Sequence, residues 1–460
     1  MSDLGTEREP LRVAVVGSGP SGFYATNALF KSQPVVLVDM FERLPAPFGL
    51  VRNGVAPDHP KLKEPILVYQ RIAESPQFRL FGNVTVGRDI KVEELKKCYH
   101  AVVFTCGAET DRKLGIPGED LRGSHTATEF VGWYNGHPDY HDRVFDLSHE
   151  TAVVIGQGNV AVDVCRILSK TVDELRHTDI SEHALDVLRQ SKIRHVHMIG
   201  RRGPAQAKFT HSELRELGEL ADCDPIVDPD DLQLSEASRE EFTDRRNRAN
   251  MKSYEVLQAF ASRPPPTRHR RCHLRFLRSP VELRGEKRLE RVVLMKNRLE
   301  GAPSQQVARE TGEVEELPCG ALFRSIGYRG VPIDGVPFDE RRGVFPNQDG
   351  RIIDGNKIVP GLYAAGWIKR GPTGIIGTNR ADSVATVKSL LADLPNLDSG
   401  EKPGADGVTT LLARRGTRVV RYADWQKIDA AEVRRGEPAG KPREKFTRVD
   451  EMLAVLDDVE

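Results

Sequence analysis

The chain has 460 residues, more than one hydrophobic core usually organises, so two or three domains are expected. Lys plus Arg and Asp plus Glu number 67 each, which leaves no net charge to draw the whole molecule to nucleic acid or to an anionic membrane. No apolar run approaches the roughly 20 residues that span a bilayer, and the six cysteines contain no C-x-x-C pair, which argues against a structural zinc, a Cys-held iron-sulfur cluster and a redox dithiol.

Residues 1–11 are acidic and lack both a signal-peptide core and an Arg-rich transit character, so a cytoplasmic protein is expected. The run Val13-Ala14-Val15-Val16 is continuously apolar, as a strand buried on both faces of a parallel sheet must be. It feeds Gly17, Gly19 and Gly22 at G-x-G-x-x-G spacing, then a helix from about Ser21 to Lys31 and a second strand near 35–38. The first glycine makes the tight turn, the second lets a pyrophosphate approach the backbone, and the third lets helix and strand pack closely. Residues 45–60 hold too many prolines and glycines for a regular element and too many apolar residues for a solvated linker, so a buried, shaped loop is expected. Another strand at 101–104 runs into Thr105-Cys106-Gly107-Ala108, near which the chain leaves its first domain.

Ala152-Val153-Val154-Ile155 then opens a second nucleotide loop with Gly156, Gly158 and Ala161. Two such loops in strand-loop-helix context mean two dinucleotides. A helical stretch of about 163–191 leads to a strand at 195–199, and strand-like runs follow at 274–283 and 289–295. A return strand at 361–366 and a helix of about 380–394 are expected to rejoin the first domain. The fold class expected is therefore α/β with two Rossmann-like units, the second inserted into a discontinuous first. The boundaries are 1–108, 109–331 and 332–460. Residues 396–408 read as a mobile connection, and 409–460 are the least readable part.

An acid at the end of the second strand normally holds the ribose of the first dinucleotide, and both Asp39 and Glu42 qualify. In the second unit Arg201 and Arg202 stand where that acid would be, which points to a 2′-phosphate and so to NADP.

The chain resembles the adrenodoxin reductase family, and within it the bacterial NADPH-ferredoxin reductases of that type. The stretches that carry the resemblance are Pro47-Phe48-Gly49-Leu50-Val51-Arg52 with Gly54-Val55-Ala56-Pro57-Asp58-His59-Pro60, the second loop Gly156-Gln157-Gly158-Asn159-Val160-Ala161, Gly200-Arg201-Arg202-Gly203-Pro204, and Gly366-Trp367 through Gly374. It implies FAD on the first loop, held through Gly17, Gly19, Pro20, Ser21 and Gly22, with Glu42 as the ribose acid. Leu50, Val51, Gly107, Gly366, Trp367, Gly374, Ile375 and Ile376 are then further flavin-side contacts. It implies NADPH on the second loop, at Gly156, Gly158, Asn159, Val160, Arg201, Arg202 and Glu213, and places His59, Glu213 and Glu216 near the nicotinamide as catalytic residues, with no metal. Most two-dinucleotide flavoproteins follow the last flavin glycine with Asp; here Trp367 follows Gly366, as in this family.

The activity implied is that of a ferredoxin-NADP⁺ oxidoreductase that takes a hydride from NADPH to FAD and passes single electrons to an iron-sulfur ferredoxin. Ferredoxins are generally acidic, so a basic docking face is expected. Arg239 with Arg245, Arg246 and Arg248 is one candidate; the run Arg263 to Arg278, with Arg268, Arg270, Arg271 and Arg275, is the other. Acidic residues interrupt the first cluster and no aromatic platform accompanies it, so nucleic acid is not an expected partner. A monomer without membrane insertion is expected.

Overall fold

The computed structural model describes residues 4–457. Its largest sheet has seven strands in the order 347–348, 351–354, 357–364, 101–104, 11–16, 36–41 and 78–81. From Lys357–Ala364 to Phe78–Phe81 all neighbours are parallel, and the two short strands at the other edge are antiparallel. Leu11, Val13, Ala14 and Val15 are fully buried at its centre, because helices cover both faces. Helix Pro20–Phe30 packs on one face beside helix Thr378–Ala392. Phe23 on the first of these stacks on Tyr69 at 4.8 Å and lies 5.5 Å from Phe48, which seats the proline-rich loop against the same core. That loop is the buried, shaped segment expected, with a short helical turn at Leu50–Asn53.

The second sheet has six parallel strands in the order 124–126, 321–324, 151–155, 195–199, 270–275 and 223–227. All its strands fall between those of the first sheet in the chain, so the second Rossmann-like unit interrupts the first. A three-stranded antiparallel sheet of Arg278–Arg284, Arg291–Glu300 and Val307–Pro318 packs against it through Leu283, Val292 and Leu294.

Two expectations need correction. The run expected at 274–283 is two strands in two sheets, Arg270–Arg275 and Arg278–Arg284, divided where Leu277 takes a left-handed conformation with φ of 54°. The segment 396–408 is not simply a connection, since helix Gly404–Arg414 begins inside it and Lys402 Nζ is held by Asp398 at 2.6 Å. The tail contributes helices Tyr422–Gly436 and Val449–Ala454, which bury Trp425, Ile428 and Met452 in the first unit's core.

Candidate active site

The two glycine loops have the same internal logic. Gly17 and Gly156 have φ of 106° and 141°, and a Cβ on either would strike backbone oxygen, Thr105 O at 2.6 Å or Ser325 O at 2.1 Å. A Cβ on Gly22 would sit 2.2 Å from Gly17 O, so the third position must be bare there. Its counterpart Ala161 has room for a methyl and is fully buried. At Gly19 and Gly158 a Cβ would meet nothing within 4 Å, as it would at Gly107. The backbones of Gly19 and Gly158 therefore border open space at the N-termini of helices Pro20–Phe30 and Asn159–Ser169, where unpaired N–H groups favour phosphate.

Asp39 and Glu42 separate by environment. Asp39 lies inside its strand, buried, and accepts from Tyr99 Oη at 2.8 Å; burial raises its pKa while Tyr99 opposes. Glu42 stands just past the strand and accepts from the Ser18 amide at 3.2 Å, the Ser18 hydroxyl at 2.5 Å and the Leu44 amide at 2.9 Å. Those bonds fix its carboxylate beside the first loop.

Gly366 follows the return strand with φ of 78°, and a Cβ there would lie 2.1 Å from Ser21 Oγ, so the strand end and the first loop touch. Pro20 and Ser21 open the helix, and Ser21 O accepts from Ser383 Oγ at 3.0 Å. The Gly366 amide donates to Asp382 at 2.6 Å. The acid that sequence reading missed beside Gly366 thus arrives from a helix 16 residues on, where no local motif marks it. Trp367 stacks on Tyr328 at 5.3 Å, and its buried Nε1 has no hydrogen-bond partner among the described residues. Val51 is fully buried, whereas Leu50 is 41% and Ile375 66% exposed, next to the half-buried Ile376 and to Gly374 with φ of 85°.

In the second unit, Asn159 Oδ1 accepts from the Thr210 amide at 2.8 Å, tying the second loop to the cap of helix His211–Glu216; Val160 follows it, half-buried. Arg201 is exposed and Arg202 half-buried just beyond strand His195–Ile199. Among the described residues neither guanidinium lies within 4.0 Å of a carboxylate, and burial together with Arg201 lowers the Arg202 pKa. A polar cleft of about 90 Å³ beside Arg202 adds a third cation, Lys208, with Asn250 and Ser304 on its wall.

His59, Glu213 and Glu216 come together although they belong to different units. His59 Nε2 lies 2.7 Å from Glu216 Oε2 and 3.9 Å from Glu213 Oε2. Four further charges that the sequence reading missed complete the group. Arg166 reaches Glu216 at 3.1 Å and Asp163 at 2.8 Å, and also bonds Asp58, which Lys170 pairs at 2.9 Å. Burial alone would lower the His59 pKa, but the Glu216 bond together with the charges of Asp163 and Asp58 raises it. For Glu216, burial is overcome by His59 and Arg166, so its pKa falls. Glu213 is raised by burial, and its buried Oε2 has no hydrogen-bond partner among the described residues. Burial pushes Asp163 up to about 7 against the pull of Arg166. Three carboxyls therefore differ in proton affinity within one network, with a histidine at its centre.

No family model matches the chain. NADPH-ferredoxin reductase FprA of Mycobacterium tuberculosis is 47% identical over 458 residues, covering 97% of this chain and 99% of that protein. Human mitochondrial NADPH:adrenodoxin oxidoreductase is 46% identical over 465 residues, covering 98% and 93%. The solved structure of Mycobacterium tuberculosis FprA in complex with NADPH matches with a TM-score of 0.92 at 46% identity, covering 97% and 99%. Identity at this level over nearly the full length of both relatives means that the chain belongs to the adrenodoxin reductase family of NADPH-ferredoxin reductases.

Proposed function

We propose that this protein is an FAD-dependent ferredoxin-NADP⁺ reductase, with FAD on the loop of Gly17, Gly19 and Gly22 and NADPH on the loop of Gly156 and Gly158. The observation that carries this reading is the pair of open glycine backbones at helix N-termini, one beside a fixed acid, Glu42, and the other beside two unpaired guanidinium groups, Arg201 and Arg202. The unpartnered indole nitrogen of Trp367 and the exposed Leu50 and Ile375 border the first site and fit an aromatic cofactor with polar edges. We divide the chain at 1–108, 109–331 and 332–460, the middle part carrying NADP. When bound, NADPH supplies a hydride and FAD the conversion to single electrons for an iron-sulfur protein.

The protein's own work is positioning and charge control. Arg201 and Arg202, with Lys208, hold the 2′-phosphate by charge-assisted bonds. Glu213 keeps one buried oxygen without a hydrogen bond among the described residues, an acceptor for a carboxamide N–H or a counter-charge to an oxidised pyridinium ring. His59 joins the units through Glu216 and steadies the closed geometry, since hydride transfer requires no general base. Its raised proton affinity favours the protonated form beside the reacting rings.

For an acidic ferredoxin, the Arg239, Arg245 and Arg248 face is favoured over the later run. All three are exposed and lie beyond ion-pair distance of any carboxylate among the described residues, while Arg246 pairs with Asp244 at 2.6 Å. In the later run, Arg275 is held by Glu315 and Arg270 by the carbonyls of Ser169, Lys170 and Ile193. Among the described residues no helix is long and apolar enough to cross a membrane.

The test is anaerobic stopped-flow absorbance of the yellow protein mixed with NADPH or NADH, followed by a ferredoxin. Fast, NADPH-selective bleaching reversed by ferredoxin is expected. A colourless protein, or a flavin that NADPH leaves oxidised, would overturn the assignment.

A further inference from the structure

The C-terminal segment joins the flavin-side loop to the second unit through buried charges. Trp425 packs edge-on against Phe48 at 6.0 Å, and the Arg52 guanidinium lies over its ring at 4.8 Å. Arg52 also pairs with Glu432 at 2.5 Å, both side chains nearly inaccessible, and the same Glu432 oxygen accepts from the Phe446 amide at 3.0 Å. One residue earlier, Lys445 Nζ donates to the carbonyl oxygens of Arg52 at 3.2 Å and Asn135 at 3.1 Å, and pairs with Asp179 at 3.1 Å. Arg52 belongs to the loop that carries Leu50 and Val51, whereas Asn135 follows helix Ala127–Tyr134 and Asp179 lies between helices Val172–Leu175 and Glu182–Arg189, all in the second unit. Lys63, from the first unit, also reaches Asp179, at 2.6 Å. The Glu182 amide is held by Glu444 at 3.0 Å.

We propose that residues 432–446 form a strap that sets the second unit against the flavin-side loop, with Lys445 as a positioning residue for hydride transfer. A buried ammonium is costly unless each N–H finds an acceptor. Here the three acceptors come from two units, so the amine is satisfied only when those units hold one relative placement. The opposite end of the same junction is the His59–Glu216 contact, and a small rotation at Lys445 displaces the nicotinamide site relative to the flavin site. Misplacement of about 1 Å is enough to lower such a rate about ten- to hundredfold. The inference rests on the functional reading above.

The test uses the full-length holoenzyme with Lys445→Met and, separately, Asp179→Asn, which leaves Lys445 its two carbonyl acceptors. Flavin content, the long-wavelength charge-transfer absorbance on mixing with NADPH, the bleaching rate and the apparent affinity for NADPH are measured together. Expected in Lys445→Met are full flavin content and NADPH affinity within about twofold, because the phosphate and pyrophosphate contacts lie elsewhere, with weakened charge-transfer absorbance and bleaching slowed about tenfold or more. Lys445→Arg is expected to restore part of the rate. If Lys445→Met fails to fold, Asp179→Asn carries the same test with the same direction expected. Wild-type bleaching and charge-transfer absorbance in either folded variant would overturn the proposal, as would a rate that falls only in proportion to lost flavin. A wild-type protein that NADPH does not reduce would instead overturn the functional reading itself.

Discussion

Arg201 and Arg202 carry two positive charges that no carboxylate offsets at ion-pair distance among the described residues, and a hydrogen bond to a charged group contributes about 1.5–3 kcal/mol. Replacing both with Ala should raise the apparent KM for NADPH about a hundredfold and change that for NADH little, since only NADPH carries the 2′-phosphate. Steady-state rates with both coenzymes decide this, and equal losses would remove the phosphate assignment. Glu216 is the other informative residue, because its bond to His59 raises a pKa that burial and Arg166 pull down. Glu216→Gln should therefore lower the His59 pKa. The group then loses its proton at lower pH, so the His59-dependent step of the pH–rate profile should shift to more acidic values. An unshifted profile would mean that Glu216 does not set the charge on His59.

At the scale of the strand-loop-helix element, the glycines of the two loops answer differently to a methyl group. Gly19→Ala and Gly158→Ala should fold with melting temperatures near wild type, because the added Cβ meets nothing within 4 Å, yet bind FAD and NADPH respectively far less well. Gly22→Ala should instead lose stability, since its Cβ would sit 2.2 Å from Gly17 O. Melting curves of the flavin-free proteins, beside flavin titrations, separate the two effects; similar melting temperatures for Gly19→Ala and Gly22→Ala would refute the division of roles. These loops were legible in the sequence because their constraints are local, as were the apolar runs of both parallel sheets. The charged group around His59 was only partly legible. Glu213 and Glu216 stood out through the resemblance, but the partners Asp58 and Arg166 are 108 residues apart and meet only once both units fold. Arg52 and Glu432 are 380 apart, and nothing local in the tail announces that contact. The division of 274–283 was illegible for another reason: its turn depends on a left-handed Leu277, a residue with no intrinsic preference for that conformation.

Across the whole molecule, the junction between the units is written in buried ion pairs, which makes it sensitive to acid in a way that the apolar sheets are not. Asp179 is the clearest case. Burial would raise its pKa, but Lys445 and Lys63, the charges that face it, draw it down to about 2. A carboxyl whose folded pKa lies below its ordinary 3.8 contributes stability that is fully present above that value and is lost as pH falls through about 2. Asp58, lowered by Arg166 and Lys170, acts in the same direction at the other end of the junction. Asp163, raised to about 7, acts oppositely and at higher pH, so it does not obscure the acid window. Melting temperature followed from pH 5 downwards should therefore fall more steeply in the wild type than in Asp179→Asn, which starts lower at neutral pH and converges with it in acid. Parallel curves would show that Asp179 is as well solvated in the folded protein as in the unfolded chain, and that the junction is held by apolar packing rather than by its buried charges.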